Sequence, residues 1–541
     1  MRGARGVAIL VVVAAVGAGC GGADSTGGGG RSGSTAVAGD PTPGGKVVYG
    51  LEAESSGGWC LPEAQLAIAG MQVARSVYDY LTVPNAKGEY VPFLAKSVTP
   101  NARFDEWTIE LRDGIRFHDG TELTAEVVKN NLDAFRGAYP ARHPLLFVFV
   151  FDNVADVTVT GPLTLKVATK TPWVSFPAYL YSNARFGISG QAQPDDPDHC
   201  DTNLIGTGPF MLDNWRPNDH LTVVKNPHYW RAGLPYLDEI EYRPMPDANQ
   251  MVNAIESGEI DLMHTSTALA IADLREVAKS GDVSLYESDD FTETGYVMFN
   301  TAKPPFDNIL ARQAITYAID LDTENDVRNK GILTEASGPF APGNMGYLED
   351  AGRPQYDLDK AKSLVAQYED ETGLDFRFTL SHGGDPAGQE GAQFWIAMVE
   401  KAGVKVDSKV VDQSQAINDA IAGNFQATGW RNHPGGDPDT QYVWWHSGSP
   451  VNFGKFSDPE IDRLLEAGRA EPDPAERERI YEDMNRRFSE QLYDVWTFWT
   501  LWAVATDTDV HGLLGPDLPD GSKPLPGLAN GHAVDGLWVD Q

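Results

Sequence analysis

Apolar and polar residues alternate over 107–112, which predicts a half-buried strand. Asp113 with Gly114, and Asp119 with Gly120, are turn dipeptides, and Thr124 stands where it can cap a helix that starts near Ala125. These residues predict strand, hairpin and helix, and carry no chemistry. Upstream, 46–53 (KVVYGLEA) alternates as a first strand and runs into a Ser/Gly turn cluster over 54–58. Apolar residues at helical spacing predict a helix over 71–81, followed by extended chain over 90–98. A strand over 164–168 comes after the Gly161, Pro162 turn. Residues 195–201 (DDPDHCD) read as a polar surface loop, 222–224 as a strand, and Asn226 with Pro227 as a turn.

In the second half, helical patterns cover 247–255, 310–319, 358–369, 393–402 and 414–422, with Asp357 placed to cap the third of them. Residues 258–261 lead into a strand, and 376–380 and 405–410 are extended. Helices over 458–469 and 474–492 come before an extended stretch over 495–505. Helices alternating with strands argue for an α/β lobe with a mixed sheet. No period of 20–50 residues repeats.

A chain of 541 residues exceeds one ordinary core and implies two or three lobes. Hydrophobic residues at 42% and aromatic ones at 10% suffice to bury a large interior. Arg2 and Arg5, an apolar run over 7–16, and Ala18 and Gly19 before Cys20 make a secretory segment. Its end resembles a bacterial lipobox, with Gly17 where Leu is usual, so that Cys20 would be lipidated and become the mature N-terminus. The alternative is an ordinary signal peptide cut near Ala18. Gly and Ser dominate 21–45, a composition that behaves as a flexible tether. The net charge of −35 disfavours nucleic acid, and no basic stripe with interleaved aromatics is present. Of the three cysteines, Cys60 and Cys200 remain after lipidation. Two thiols in an oxidising compartment suggest a bridge, with two unpaired buried cysteines as the alternative.

The stretch 106–128 (EWTIELRDGIRFHDGTELTAEVV) resembles a segment of the family 5 solute-binding proteins, the peptide- and nickel-type receptors of ABC importers. Further blocks follow in the family's order: YDYLTVPNAKGEYVPFL from Tyr78, GTGPFMLDNWRPNDHLTVVKNPHYW from Gly206, GEIDL from Gly258, FNTAKPPFDNILARQAITYAID from Phe299 and YDLDKAKSL from Tyr356. The resemblance implies an α/β fold of the bilobed, periplasmic-binding-protein type II-like kind with an extra inserted subdomain. One lobe would combine 46–75, 206–299 and 492–541, with 76–205 inserted, and 300–491 would form the other. It implies no cofactor, and a monomer that passes a short peptide or other small solute to a permease driven by cytoplasmic ATPases. Tethered through Cys20, it would sit on the outer face of the cytoplasmic membrane. Other members handle oligosaccharides, opines, nickel complexes or glutathione.

Motifs of enzymes are missing: no HExxH, CxxC pair, GxSxG or Walker GxxxxGK[ST] occurs. His382, Gly383 and Gly384 look like an oxyanion loop, but the nucleophile elbow is absent. Asp320, Asp322 and Glu324 alternate as in a calcium loop that lacks its glycine and its last ligand. The eleven histidines are scattered, with His118, His143, His199, His228 and His433 in loops, and most are read as surface or turn residues rather than metal ligands. A secreted hydrolase and a signalling lipoprotein are the rival readings.

Ligand recognition is expected in TGWRNHPGGDPDTQYVWWHSGSPVN, from Thr428, which resembles the family's "GW…D…DPD" block. Trp430 matches the tryptophan that lines the cleft. In peptide receptors an aspartate three residues on holds the ligand's ammonium group, and here that place is His433. A neutral imidazole cannot replace a carboxylate facing an ammonium. Asp437 or Asp439 could substitute, or Arg431 and His433 face an acidic or hydroxyl-rich ligand. Tyr442, Trp444 and Trp445 add aromatic surface, although adjacent tryptophans face opposite ways, which puts at least one in the core. By carry-over, Glu52 and Trp59 in the first loop, with Asn300 at the crossover over 298–300, complete the expected lining. The alternative for Trp59 is packing beside Cys60.

Overall fold

The computed structural model describes residues 39–540, except 55–57, 65, 145, 385 and 432–435. Cys20, the secretory segment and His433 therefore lie outside the described residues. Two sheets organise two lobes. The first has seven strands in the order Val283–Ser288, Trp502–Asp507, Leu262–Thr265, Lys46–Leu51, Glu239–Pro244, His220–Lys225 and Phe210–Arg216. The second has six: Thr334–Glu335, Asp494–Trp499, Thr294–Phe299, Ala427–Arg431, Arg377–His382 and Lys405–Val410. A separate four-stranded antiparallel sheet is built from Ala95–Pro100, Glu106–Leu111, Thr164–Thr169 and Val154–Gly161. The α/β, bilobed reading of the sequence holds.

The expected crossing over 495–505 is in fact two strands in two sheets. Trp499 ends one in the six-stranded sheet, Thr500 and Leu501 turn, and Trp502 begins the next in the seven-stranded sheet. A second crossing, after Ser288, lies against the first. Thr292 donates to the Thr500 carbonyl at 2.7 Å, and the Thr500 amide donates to the Glu293 carbonyl at 3.0 Å. The chain between lobes is thus a pair of mutually bonded extended segments, an arrangement suited to a hinge.

Helix ends follow their capping residues. Thr124 accepts from the Val127 amide at the start of Ala125–Phe135, Asp247 caps Ala248–Glu256, and Asp357 caps Leu358–Thr372. Asp320, read above as part of an incomplete calcium loop, caps the short helix Leu321–Arg328. The helix expected over 71–81 is instead Ile68–Val77. Past Val77 the chain turns extended, because Gly206 and Gly208 pack directly on it. A Cβ at Gly206 would lie 1.8 Å from the Val77 carbonyl oxygen. Buried Asp79 then accepts hydrogen bonds from Thr207 (3.0 Å), Trp230 Nε1 (2.9 Å) and Tyr229 (3.3 Å). Two of the blocks that carry the family resemblance, those from Tyr78 and from Gly206, therefore meet at one buried carboxylate and hold the fold together. Cys60 and Cys200 form a disulfide across 140 residues.

Candidate functional site

A cleft of about 970 Å³ runs between the two main sheets. Glu52 and Trp502 line it from the seven-stranded side, and Tyr296, Ser381 and Trp430 from the six-stranded side. Glu52, Ser381, Trp430 and Trp502 lie at or next to strand ends that face the crevice, and Tyr296 projects from within its strand. Glu52 follows the first strand directly, and Ser266 follows Leu262–Thr265, so these two adjacent strands deliver both residues to one spot.

Charges of both signs are interleaved there. Glu52 Oε1 accepts from the Thr265 hydroxyl (2.8 Å) and the Ser266 amide (2.5 Å). Arg431 Nη1 donates to Ser266 Oγ (3.0 Å) and to Glu293 Oε1 (3.2 Å). Its guanidinium carbon lies 5.9 Å from the Trp502 ring centre. Glu293 is buried, and burial pushes its carboxyl up to about 6; Glu52 adds to this, while Arg431 and Arg185 oppose it. Burial likewise pulls Arg185 down to about 10 against the pull of Glu293. The guanidinium of Arg185 is positioned by a bond from Nε to the Leu66 carbonyl at 3.2 Å.

An aromatic wall adjoins this charged floor. Half-buried Trp430 meets Phe453 edge-on with ring centres 5.4 Å apart, and Trp444 lies 5.6 Å from the same ring. Trp445, one residue on, is buried against Phe488 (4.8 Å) and Phe340 (5.7 Å). The adjacent tryptophans thus divide between cleft and core.

The structure brings Glu52, Trp430 and Arg431 together and places the other described candidates elsewhere. Trp59 is 1% exposed and packs edge-on against Trp215, so it belongs to the interior beside the disulfide. Asn300 is fully buried, and its amide donates to the Gly423 and Phe425 carbonyls, tying two loops. Asp437 is held by both terminal nitrogens of Arg477, at 2.7 and 2.6 Å. Tyr442 lies under the Arg469 guanidinium, 3.5 Å from its ring centre. Asp439 is fully buried between Arg469 (3.0 Å), Trp173 Nε1 (2.8 Å) and Ser175 (2.5 Å). The DPD turn is therefore a brace between distant segments, which removes both aspartates from the cleft.

Glu293, Arg185, Ser266 and Trp502 were not expected in the cleft. A charged residue preceding an apolar strand was the only signal for Glu293. Among the described residues, no cluster of three or more His, Cys, Asp or Glu could hold a metal ion. No described helix is long and apolar enough to cross a membrane.

Comparison with known proteins bears on this cleft. The family profile described as bacterial extracellular solute-binding proteins, family 5 Middle, matches residues 89–454. The glutathione-binding protein GsiB of Escherichia coli (strain K12) is 28% identical over 421 residues, 76% of this chain and 80% of its own length. The periplasmic binding protein AgaA of A. tumefaciens R10, solved in complex with agropinic acid, is 26% identical with a TM-score of 0.80, covering 92% of this chain and 99% of its own. The oligopeptide-binding protein AppA of Bacillus subtilis, solved with a nonapeptide, matches in fold at TM-score 0.81 and 21% identity, over 93% of this chain and 100% of its own.

Proposed function

The chain belongs to the bacterial extracellular solute-binding proteins, family 5, and from that premise we propose that it is the receptor of an ABC importer for a peptide or peptide-like zwitterionic solute. The observation that carries this reading is the floor of the cleft, where Glu52, Ser266, Arg431 and Glu293 form one chain of alternating charge between two sheets. Carboxylates and guanidinium within one cavity match a ligand with charges of both signs. The volume, about 970 Å³, suits a short peptide or a molecule of similar size. Relatives named for glutathione and for oligopeptides support the same chemistry.

Trp430, Arg431 and Glu52 are read as ligand contacts. Binding energy drives the two lobes together about the paired crossings, and the closed shape is what a permease recognises. The seven-stranded sheet with the inserted segment 76–205 is taken as one lobe and 300–491 as the other. Lipid attachment at Cys20 would hold the receptor at the outer face of the membrane. The wall of Trp430, Trp444 and Phe453 supports a second reading, an oligosaccharide receptor, because sugar rings stack on such surfaces.

Native mass spectra of the mature protein, as purified and after incubation with mixed peptides and with mixed oligosaccharides, test the proposal. Added masses from the peptide mixture are expected. Retention from the sugar mixture alone selects the second reading, and retention of neither removes both.

A further inference from the structure

The sheet face that carries Trp430 also carries a carboxylate. Strand pairing sets Trp430 opposite Tyr296, and Met298 opposite both Thr428 and Asp494. Residues directly opposed in an antiparallel pair project to the same side. Trp430, Tyr296, Met298 and Asp494 accordingly line one void of about 20 Å³, closed by Trp444 and Phe453. The tryptophans and Phe453 also wall the cleft, so the void lies directly behind it.

Asp494 is 4% exposed, and no donor among the described residues hydrogen-bonds its carboxylate. Arg312, the cation that acts on it, makes no hydrogen bond to it and donates instead from Nη1 to the Phe306 carbonyl (2.7 Å) and from Nε to the Gln491 carbonyl (2.9 Å). Burial therefore holds the Asp494 carboxyl well above the ordinary range. A buried carboxylate without donors demands a proton or a positive partner. The void beside it has room for one water-sized group. Its walls combine the rings of Tyr296, Trp430, Trp444 and Phe453, which attract a cation, with Met298, Gln441 and Arg431, whose Nη1 is already engaged by Ser266 and Glu293. A primary ammonium has the right size and charge, and a guanidinium is too wide.

We propose that Asp494 and this aromatic void form a specificity pocket for a primary ammonium group of the solute, entered from the cleft past Trp430 and Trp444. The pocket rests on the reading of the cleft as a solute site. It supplies a carboxylate at a position unrelated to the loop after Trp430, where His433 stands in the place of the family's aspartate.

The test compares n-butylammonium, n-butylguanidinium and n-butanol at matched ionic strength, by ligand-observed NMR and by the unfolding midpoint, on the mature chain and on Asp494→Asn. Butylammonium is expected to bind about tenfold or more tightly than the other two. Asp494→Asn is expected to lose that preference with no fall in its own midpoint. Equal binding of the three probes to the native chain overturns the pocket, and so does a preference that survives in Asp494→Asn. Should Asp494→Asn fail to fold, Asp494→Glu serves, since its extra methylene fills the void and should exclude the ammonium. Peptides retained in the native mass spectra while the pocket fails leave the receptor reading standing. Ammonium preference in a protein that retains no solute removes that reading alone.

Discussion

Arg431 ends a strand of the six-stranded sheet and donates to Ser266 Oγ at 3.0 Å, on the turn that leaves a strand of the seven-stranded sheet. Ser266 passes the contact to Glu52, and Glu293 receives the same guanidinium nitrogen. The two walls of the cleft are therefore joined by a short polar chain at its floor.

Replacing Arg431 with Ala should leave Glu52 and Glu293 facing one another without the cation between them. Because the Arg431 side chain is about half exposed, solvent screening limits the effect. Ligand affinity is expected to fall by about 1–2 kcal/mol, read by titration calorimetry, with the loss shrinking at high salt. An affinity independent of both the substitution and salt would remove Arg431 from the site.

The Glu293 carboxyl, pushed up to about 6 from its ordinary 4.5, makes stability depend on pH. The folded chain takes up this proton as pH falls through about 6, while the unfolded chain does so only near 4.5. Burial of the charged form thus costs stability above pH 6, and the cost is relieved between 6 and 4.5. The relief amounts to about 2 kcal/mol. Urea unfolding across that window should show this group raising stability as pH falls, and Glu293→Gln should flatten the slope. A residual slope of the same sign is expected from Asp79, which burial also pushes up to about 6.

Asp439→Ala should be far more damaging than any change in the cleft. It would strand the Arg469 guanidinium, 5% exposed, and leave Trp173 Nε1 and Ser175 without their acceptor. Removing one partner of a buried pair costs about 3–5 kcal/mol. Chemical denaturation measures it, and a loss under about 1 kcal/mol would contradict the brace.

Much of the fold could be read from local rules. Thr124, Asp247 and Asp357 each cap the helix that their sequence context predicts, since capping needs only neighbours three residues away. The Asp79 cluster was visible as motif blocks, although nothing in those blocks said that they meet. The cleft was harder. Trp430 could be read because its block is local, but Asp437 was expected there only as a substitute for the family's aspartate and Tyr442 only as aromatic surface in the same block. The chain beyond Arg431 instead carries Asp437 to Arg477 and Tyr442 to Arg469. Glu293 and Arg185 come from separate segments and meet only through the topology of the crossings, which no local pattern encodes.

The disulfide between Cys60 and Cys200 closes a loop of 140 residues in sequence. Cross-linking so long a loop restricts the unfolded chain strongly, by about 2–5 kcal/mol of stability. Reduction, or the paired change to Ser at both positions, should lower the melting temperature without abolishing ligand retention, because neither cysteine lines the cleft. A reduced protein with an unchanged midpoint would show that the bridge contributes nothing to stability.

Trp430→Ala separates ligand contact from fold most cleanly. The strand that carries it, Ala427–Arg431, is held by backbone pairing to Thr294–Phe299, which the substitution leaves intact. The ring itself is half-buried and touches Phe453 edge-on, so its loss costs packing on one side only. Affinity should fall by about 1–3 kcal/mol, as for a large aromatic contact, while the melting temperature moves little. Since the same ring walls the void in front of Asp494, the variant should also lose preference for butylammonium over butanol. Calorimetry and the probe series together decide the matter: unchanged affinity would place Trp430 outside the ligand's reach, and weakened affinity with intact ammonium preference would show that the ring serves the cleft alone.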